Sequence, residues 1–245
     1  MDAPQASSTI VTGGGYGIGR AVSRLLAGDG WAVVVVDRDE AKAAQTCQLI
    51  AGAGGRALPV VGNVTVASTL SRACEAARDL APLRGLVTCA AMRHAGSVTQ
   101  VSEAGWKETL DVVLNGVFLA CKAAIPDMIA AGGGAVVNVS SPDAYGRRGM
   151  VSYASAKAAV NALSQCLALD HAGDGIRVNV VLPGFTLTGM TEHYPEARIA
   201  QTAARSVARR VAQPEDAARL IRFLMSPEGE TFTGGVFGPQ GLAYT

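Results

Sequence analysis

Short β-branched runs alternate with alanine-rich, helix-like runs along most of this chain, and that alternation leaves few folds open. Residues 8–11 read as a buried strand and 17–27 as a helix; residues 31–36, a continuous apolar run closed by Asp37, read as a second strand, followed by a helix over 41–51. Further strands are expected at 57–61, 86–90, 135–139 and 177–182, with helices at 67–80, 103–130 (one long helix or a bent pair) and 153–170. Strands separated by helices predict an α/β fold, a doubly wound parallel sheet with helices on both faces, because crossovers between parallel strands are long and right-handed. No linker divides the 245 residues, so residues 1–245 are expected to form one domain. Residues 186–211, polar and arginine-bearing, are the least regular stretch. In such a sheet they lie outside the carboxyl end of the sixth strand, where ligands bind, and are expected to cover the substrate as a lid.

Composition narrows the function classes. With 21 basic and 20 acidic residues the chain has no strong field, which argues against nucleic acid or an anionic membrane and leaves a small-molecule substrate as the expected partner. The five cysteines are scattered without Cys-x-x-Cys spacing, so neither a disulfide framework nor a metal site is expected, and a reducing, cytoplasmic setting fits them. The short polar lead is unlike a secretory signal, and no stretch reads as long and pure enough for a membrane span.

Two local patterns carry the chemistry. The glycines of Thr12-Gly13-Gly14-Gly15-Tyr16-Gly17-Ile18-Gly19 stand between the first strand and the first helix, where backbone amides and the positive helix end can cradle a pyrophosphate. Their spacing, Gly-x-x-x-Gly-x-Gly at Gly13, Gly17 and Gly19, differs from Gly-x-Gly-x-x-Gly but obeys the same physical logic. Asp37 ends the second strand, where a carboxylate binds adenosine ribose hydroxyls and repels a 2′-phosphate; this favours NAD over NADP, against the neighbouring Arg38, which would suit the phosphate. Tyr153 and Lys157 form the second pattern. Four residues apart on a helix they share one face, and an ammonium near a phenol favours the phenolate and lowers its pKa from roughly 10.

With these motifs and Asn138-Val139-Ser140-Ser141 in order, the chain resembles the short-chain dehydrogenase/reductase (SDR) family over nearly its whole length. The resemblance implies a single-domain Rossmann fold with a seven-stranded sheet, and an NAD(P)-dependent oxidoreductase moving a hydride between nicotinamide and a secondary alcohol or ketone, a 3-oxoacyl or cyclic alcohol among the candidates. It implies Tyr153 as general acid/base, Lys157 lowering the Tyr153 pKa and holding the nicotinamide ribose, and Ser141 polarising the substrate oxygen, although the family spacing to the tyrosine falls on Ser140. The cofactor would meet Gly13, Tyr16, Gly17, Ile18, Gly19, Asp37, Arg38, Asn63, Val64, Ala90, Tyr153, Lys157, Pro183, Gly184, Phe185 and Thr188. A homotetramer or homodimer pairing the long helices around 103–130 and 152–170 is also implied.

Several positions depart from the family pattern. Thr88-Cys89-Ala90-Ala91 replaces Asn-Asn-Ala-Gly, Gly238-Pro239-Gln240-Gly241 replaces the terminal Asp-Gly-Gly, and Val113 stands where the family has its catalytic asparagine. Val113 opens an alternative reading, a dinucleotide-binding homologue with weak or lost catalysis that acts as a binding or scaffold protein. The substrate pocket is expected to include Met92, Arg93, His94, residues 186–211 and residues 145–150, where Arg147 and Arg148 offer guanidinium groups for a carboxylate or phosphate.

Overall fold

Every strand of the sheet runs parallel to its neighbours, in the order β3-β2-β1-β4-β5-β6-β7. The computed structural model describes residues 7–189, 191, 194–206 and 208–238; residues 239–241 of the altered C-terminal motif lie outside them. The strands are β1 (Ser8–Thr12), β2 (Ala32–Asp37), β3 (Arg56–Val61), β4 (Leu83–Thr88), β5 (Gly134–Val139), β6 (Ile176–Val181) and β7 (Val236–Phe237). The helices are α1 (Gly17–Gly28), α2 (Glu40–Gly52), α3 (Ala67–Leu80), α4 (Glu103–Leu110), α5 (Gly116–Ala130), α6 (Val151–Asp170), α7 (Glu196–Arg205) and α8 (Pro214–Met225).

The period of two along each strand divides the core. Ile10, Val34, Val36, Leu86, Val136 and Val178 pack with Leu70 of α3, Ala120 of α5 and Val160 of α6. Their sequence neighbours Val11, Val33, Val35, Val87 and Val137 point the other way, with Val181 of β6, onto Leu26 of α1, Ile50 of α2 and Leu224 of α8. Both faces being covered, the strands must be apolar throughout, and each fully buried Val or Leu contributes roughly 1.5–3 kcal/mol. Because β1 lies between β2 and β4, with Thr12 opposite both Val36 and Thr88, the strand order reverses there. A crevice opens beyond the carboxyl ends of β1 and β4 for that reason.

Three elements differ from their sequence expectation, β4 and the helices α7 and α8. β4 lies earlier than 86–90, since Arg84 and Gly85 interrupt the apolar run yet stay in the ladder, Gly85 opposite Thr9 and Ala135. Residues 103–130 form one helical run with a π turn, Asp111–Asn115, at its centre. That run, Glu103–Ala130, has an 18-residue window of mean hydropathy 1.6 and is long and apolar enough to cross a membrane, which corrects the expectation that no such stretch exists. Here α5 packs against α3 and β4 as a core helix. Helices α7 and α8 were not foreseen; α8 buries Ala217, Ala218, Ile221, Leu224 and Met225, and Asp216 caps its start by accepting from Gln213 N at 2.9 Å.

Candidate active site

The turn from β1 to α1 fits a dinucleotide because backbone must pass close to backbone there. A Cβ on Gly19 would lie 2.1 Å from Gly13 O. Gly13 has φ +64°, and a Cβ on it would lie 2.7 Å from Ala90 N. Only glycine meets both demands. The first turn of α1 holds no acidic residue and its N-cap Tyr16 makes no side-chain capping bond, so its amides can receive a phosphate. Arg20 clamps the loop from behind, donating through Nε to Gly15 O at 2.9 Å. Asp37 fixes the front: Oδ2 accepts from Gly15 N at 2.9 Å and Oδ1 from Asp39 N at 3.0 Å.

From this loop a cleft of about 1190 Å³ runs across the sheet edge. All the expected cofactor positions line it: Gly13, Tyr16, Gly17, Ile18, Gly19, Asp37, Arg38, Asn63, Val64, Ala90, Tyr153, Lys157, Pro183, Gly184, Phe185 and Thr188. Ser141 lines it too.

Tyr153 and Lys157 lie one turn apart on α6 and are 8% and 2% exposed. The Lys157 Nζ stands 5.7 Å from the Tyr153 ring centroid and donates to Val139 O at 2.5 Å; burial pulls its pKa down to about 8. The two neighbouring serines have separate tasks. Ser140 donates to Lys157 O at 3.1 Å and is committed to the helix, whereas Ser141 Oγ accepts from Asp143 N at 3.1 Å and lies close enough to the Tyr153 phenol to lower its pKa. Of the two serines it is thus Ser141 that faces the Tyr153 phenol, despite the shorter spacing.

One electrostatic expectation is corrected. Burial pushes the Tyr153 phenol up to about 12, Asp143 adds to the rise, and the groups opposing it are Ser141, Arg93 and Arg147. Lys157 is not among them. Its ammonium is itself desolvated and anchored on a carbonyl, so in this structure the phenol holds its proton at neutral pH.

A family model described as short chain dehydrogenase matches residues 7–199. The chain belongs to that family. It is therefore an oxidoreductase that binds a nicotinamide dinucleotide and transfers a hydride to or from a small-molecule alcohol or ketone. This dehydrogenase is 38% identical to cis-4-hydroxycyclohexanecarboxylate dehydrogenase of Sinomonas cyclohexanicum, over 95% of this chain and 94% of that protein. It is 34% identical to human (3R)-3-hydroxyacyl-CoA dehydrogenase, over 94% and 92% of the two chains. Among solved structures, an actinorhodin polyketide ketoreductase with NADPH matches with a TM-score of 0.90 at 25% identity, over 95% of each chain.

Against that family the departures acquire physical meaning. Thr88 replaces an asparagine but still braces the sheet: its hydroxyl donates to Asn138 Oδ1 at 2.8 Å, and Asn138 Nδ2 donates to Ser164 at 2.9 Å. Val113, in the π turn of the dehydrogenase, is fully buried against Tyr153 and Ala156, whereas Asn115 faces outward and donates to Asp111 at 2.7 Å. The residue at the family's asparagine position thus touches the tyrosine and offers it only methyl groups. Beyond Val113 nothing favours the scaffold reading.

The substrate side was legible only in part. Met92, Arg93, Tyr145, Gly146 and Arg147 line the cleft of this dehydrogenase; His94 does not, and instead meets Glu108 at 2.8 Å. Arg147 is paired with Asp143 at 3.3 Å, and Arg148 does not line the cleft, so the two arginines singled out in the sequence are not a free pair. From the 186–211 stretch expected to cover the substrate, Arg198, Thr202 and Arg205 of α7 and the following Ser206 enter the cleft, residues the sequence reading did not single out individually. Their signal was present in the sequence, since 198, 202 and 205 follow i, i+4, i+7 on one helical face.

Proposed function

We propose that this dehydrogenase uses NAD in preference to NADP and acts on a secondary alcohol or its ketone, with Tyr153, Ser141 and Lys157 as the catalytic residues. The observation that carries the cofactor preference is the Asp37 carboxylate at the end of β2, lining the cleft and tied to Gly15 and Asp39. A negative charge there accepts from ribose hydroxyls and repels a 2′-phosphate. The ketoreductase solved with NADPH is too distant at 25% identity to outweigh it. The substrate class is supported by relatives named for a cyclic hydroxy acid and a 3-hydroxyacyl thioester.

Bound nicotinamide supplies the carbon that accepts or gives the hydride. Tyr153 gives its phenolic proton to the substrate oxygen in reduction and takes one in oxidation, while Ser141 donates to the same oxygen and fixes its distance. Lys157 holds the ribose. With its pKa pushed up to about 12 the phenol is protonated at neutral pH, the form that reduction draws on, whereas oxidation needs the phenolate and speeds up as pH rises.

Assembly as a homotetramer or homodimer through the outer faces of α5 and α6 is part of the same reading. Phe118 and Leu169, 46% and 81% exposed, are apolar surface that a partner would cover. A cytoplasmic location fits the five free cysteines. Calorimetric titration with NAD and NADP, beside turnover of a panel of secondary alcohols and ketones, tests the proposal. Tighter NADP binding would make Arg38 the better guide, and dinucleotide binding without any turnover would remove the catalytic assignments.

A further inference from the structure

Helix α7 presents Arg198, Thr202 and Arg205 to the cleft on one face, and Ser206 follows directly. Arg198 sits over the Tyr194 ring, its guanidinium carbon 4.0 Å from the ring centroid. Tyr194 is itself fixed, stacked on Phe185 at 5.8 Å and accepting from Arg93 Nη2 at 2.7 Å. Arg198 is thereby oriented in advance of any ligand. Two other arginines of the region are neutralised, Arg147 by Asp143 and Arg210 by Asp216, and Arg93 donates to Tyr194. Among the described residues, no carboxylate lies within ion-pairing distance of Arg198 or Arg205. Ser206 adds an independent sign: it is only 8% exposed, lines the cleft, and its buried Oγ has no hydrogen-bond partner among the described residues. A buried hydroxyl with no partner, next to two cations with no anion, is a site short of an oxyanion.

We propose that the cleft face of α7 is an anion subsite, in which Arg198, Arg205 and Ser206 hold a carboxylate or phosphate carried by the substrate away from its reacting carbon, while Thr202, whose hydroxyl donates to Arg198 O at 2.9 Å, lines the wall between them. This deepens the proposed function and rests on its reading of the cleft as a dinucleotide and ketone site. It also moves anion recognition from Arg147 and Arg148, where the sequence pointed, to α7. A carboxylate on a ring and the phosphate of a phosphopantetheine arm present the same chemistry to these donors.

The test is binding to the NADH-saturated protein, measured by calorimetry, with two matched pairs of ketones. One pair is 4-oxocyclohexanecarboxylate and 4-oxocyclohexanecarboxamide; the other is acetoacetyl-phosphopantetheine and acetoacetyl-pantetheine. In at least one pair the anion is expected to bind on the order of 10- to 100-fold more tightly than its neutral partner, the worth of charge-assisted hydrogen bonds. The pair that discriminates identifies the anion's source. Substituting Arg198→Gln together with Arg205→Gln should abolish the preference, the double lysine variant should keep part of it, and Ser206→Ala should reduce it. Both arginines are exposed, and a thermal melt of each variant shows that folding is kept. Equal or absent binding of anion and neutral partner, or a preference that survives the double glutamine variant, would overturn the proposal. So would a loss of NADH affinity in that variant without ketone, since the anion recognised would then be the cofactor's own. A failure of the underlying reading shows separately, as wild-type protein that does not bind NADH.

Discussion

The two ends of the cleft are built differently. At the cofactor end, the loop from Gly13 to Gly19 and Asp37 sit at the ends of central strands, and their identities follow from backbone clearance: Gly19 admits no Cβ, and Asp37 has two amides to satisfy. At the substrate end, α7 buries none of its own residues and meets the cleft through long polar side chains. A helix held this loosely can change what it presents at small cost in stability. The contrast teaches that chemistry common to many substrates is written into the sheet edge, while selectivity is written onto an appended segment.

If the ends are separable, variants at each should move different measurements. The largest effect is expected at their junction, from Tyr153→Phe, which removes the proton donor to substrate and should lower turnover by about 10²–10⁴-fold with NAD binding unchanged. A comparable loss of NAD affinity would show that the phenol belongs to the cofactor end instead.

Asp37→Ala should come next. It removes charge-assisted bonds worth roughly 1.5–3 kcal/mol each, so NAD binding should weaken by tenfold or more and NADP should gain relative to NAD. Ketone binding to the saturated protein should stay within a few-fold, and a larger change would couple the two ends.

Lys157 gives a pH test. Its folded pKa of about 8 lies below its ordinary 10.5, so between these values the unfolded chain holds a proton that the folded one does not. Stability relative to Lys157→Met should therefore rise with pH from 8 toward 10 and be flat below 8, as read from urea midpoints across a pH series. A difference independent of pH would mean that the lysine is already charged when buried.

The smallest effect is expected from Val113→Asn. An amide beside Tyr153 restores a polar route toward Lys157 and should raise the single-turnover rate several-fold, at a cost of about 1–3 kcal/mol for placing an amide in an apolar cluster. An unchanged rate would mean that the native site already has a complete relay.

What was legible in the sequence follows the same division. Six strands and the glycine loop could be read because periodicity and turn chemistry are local, and Val11 or Val35 has one place to go in a doubly covered sheet. The Ser140/Ser141 ambiguity was not resolvable by counting, because it depends on which hydroxyl the backbone of α6 captures. Helix α8 escaped because its apolar residues, Ala217, Ala218, Ile221, Leu224 and Met225, follow an irregular arginine-rich stretch that masked the start of the period. The upward shift of Tyr153 was also out of reach: a one-face argument places an ammonium near a phenol but says nothing of the water removed from both.

The Asp37 carboxylate has consequences for how such a protein can change. It is both the group that meets the ribose and the fastener that ties the glycine loop to the end of β2. A lineage moving toward a phosphorylated cofactor cannot simply discard it, because loss of the acid loosens the phosphate cradle in the same step. Asparagine keeps an acceptor for one amide and sheds the charge, which makes it the passable intermediate; alanine or glycine would require a second fastener to be in place beforehand.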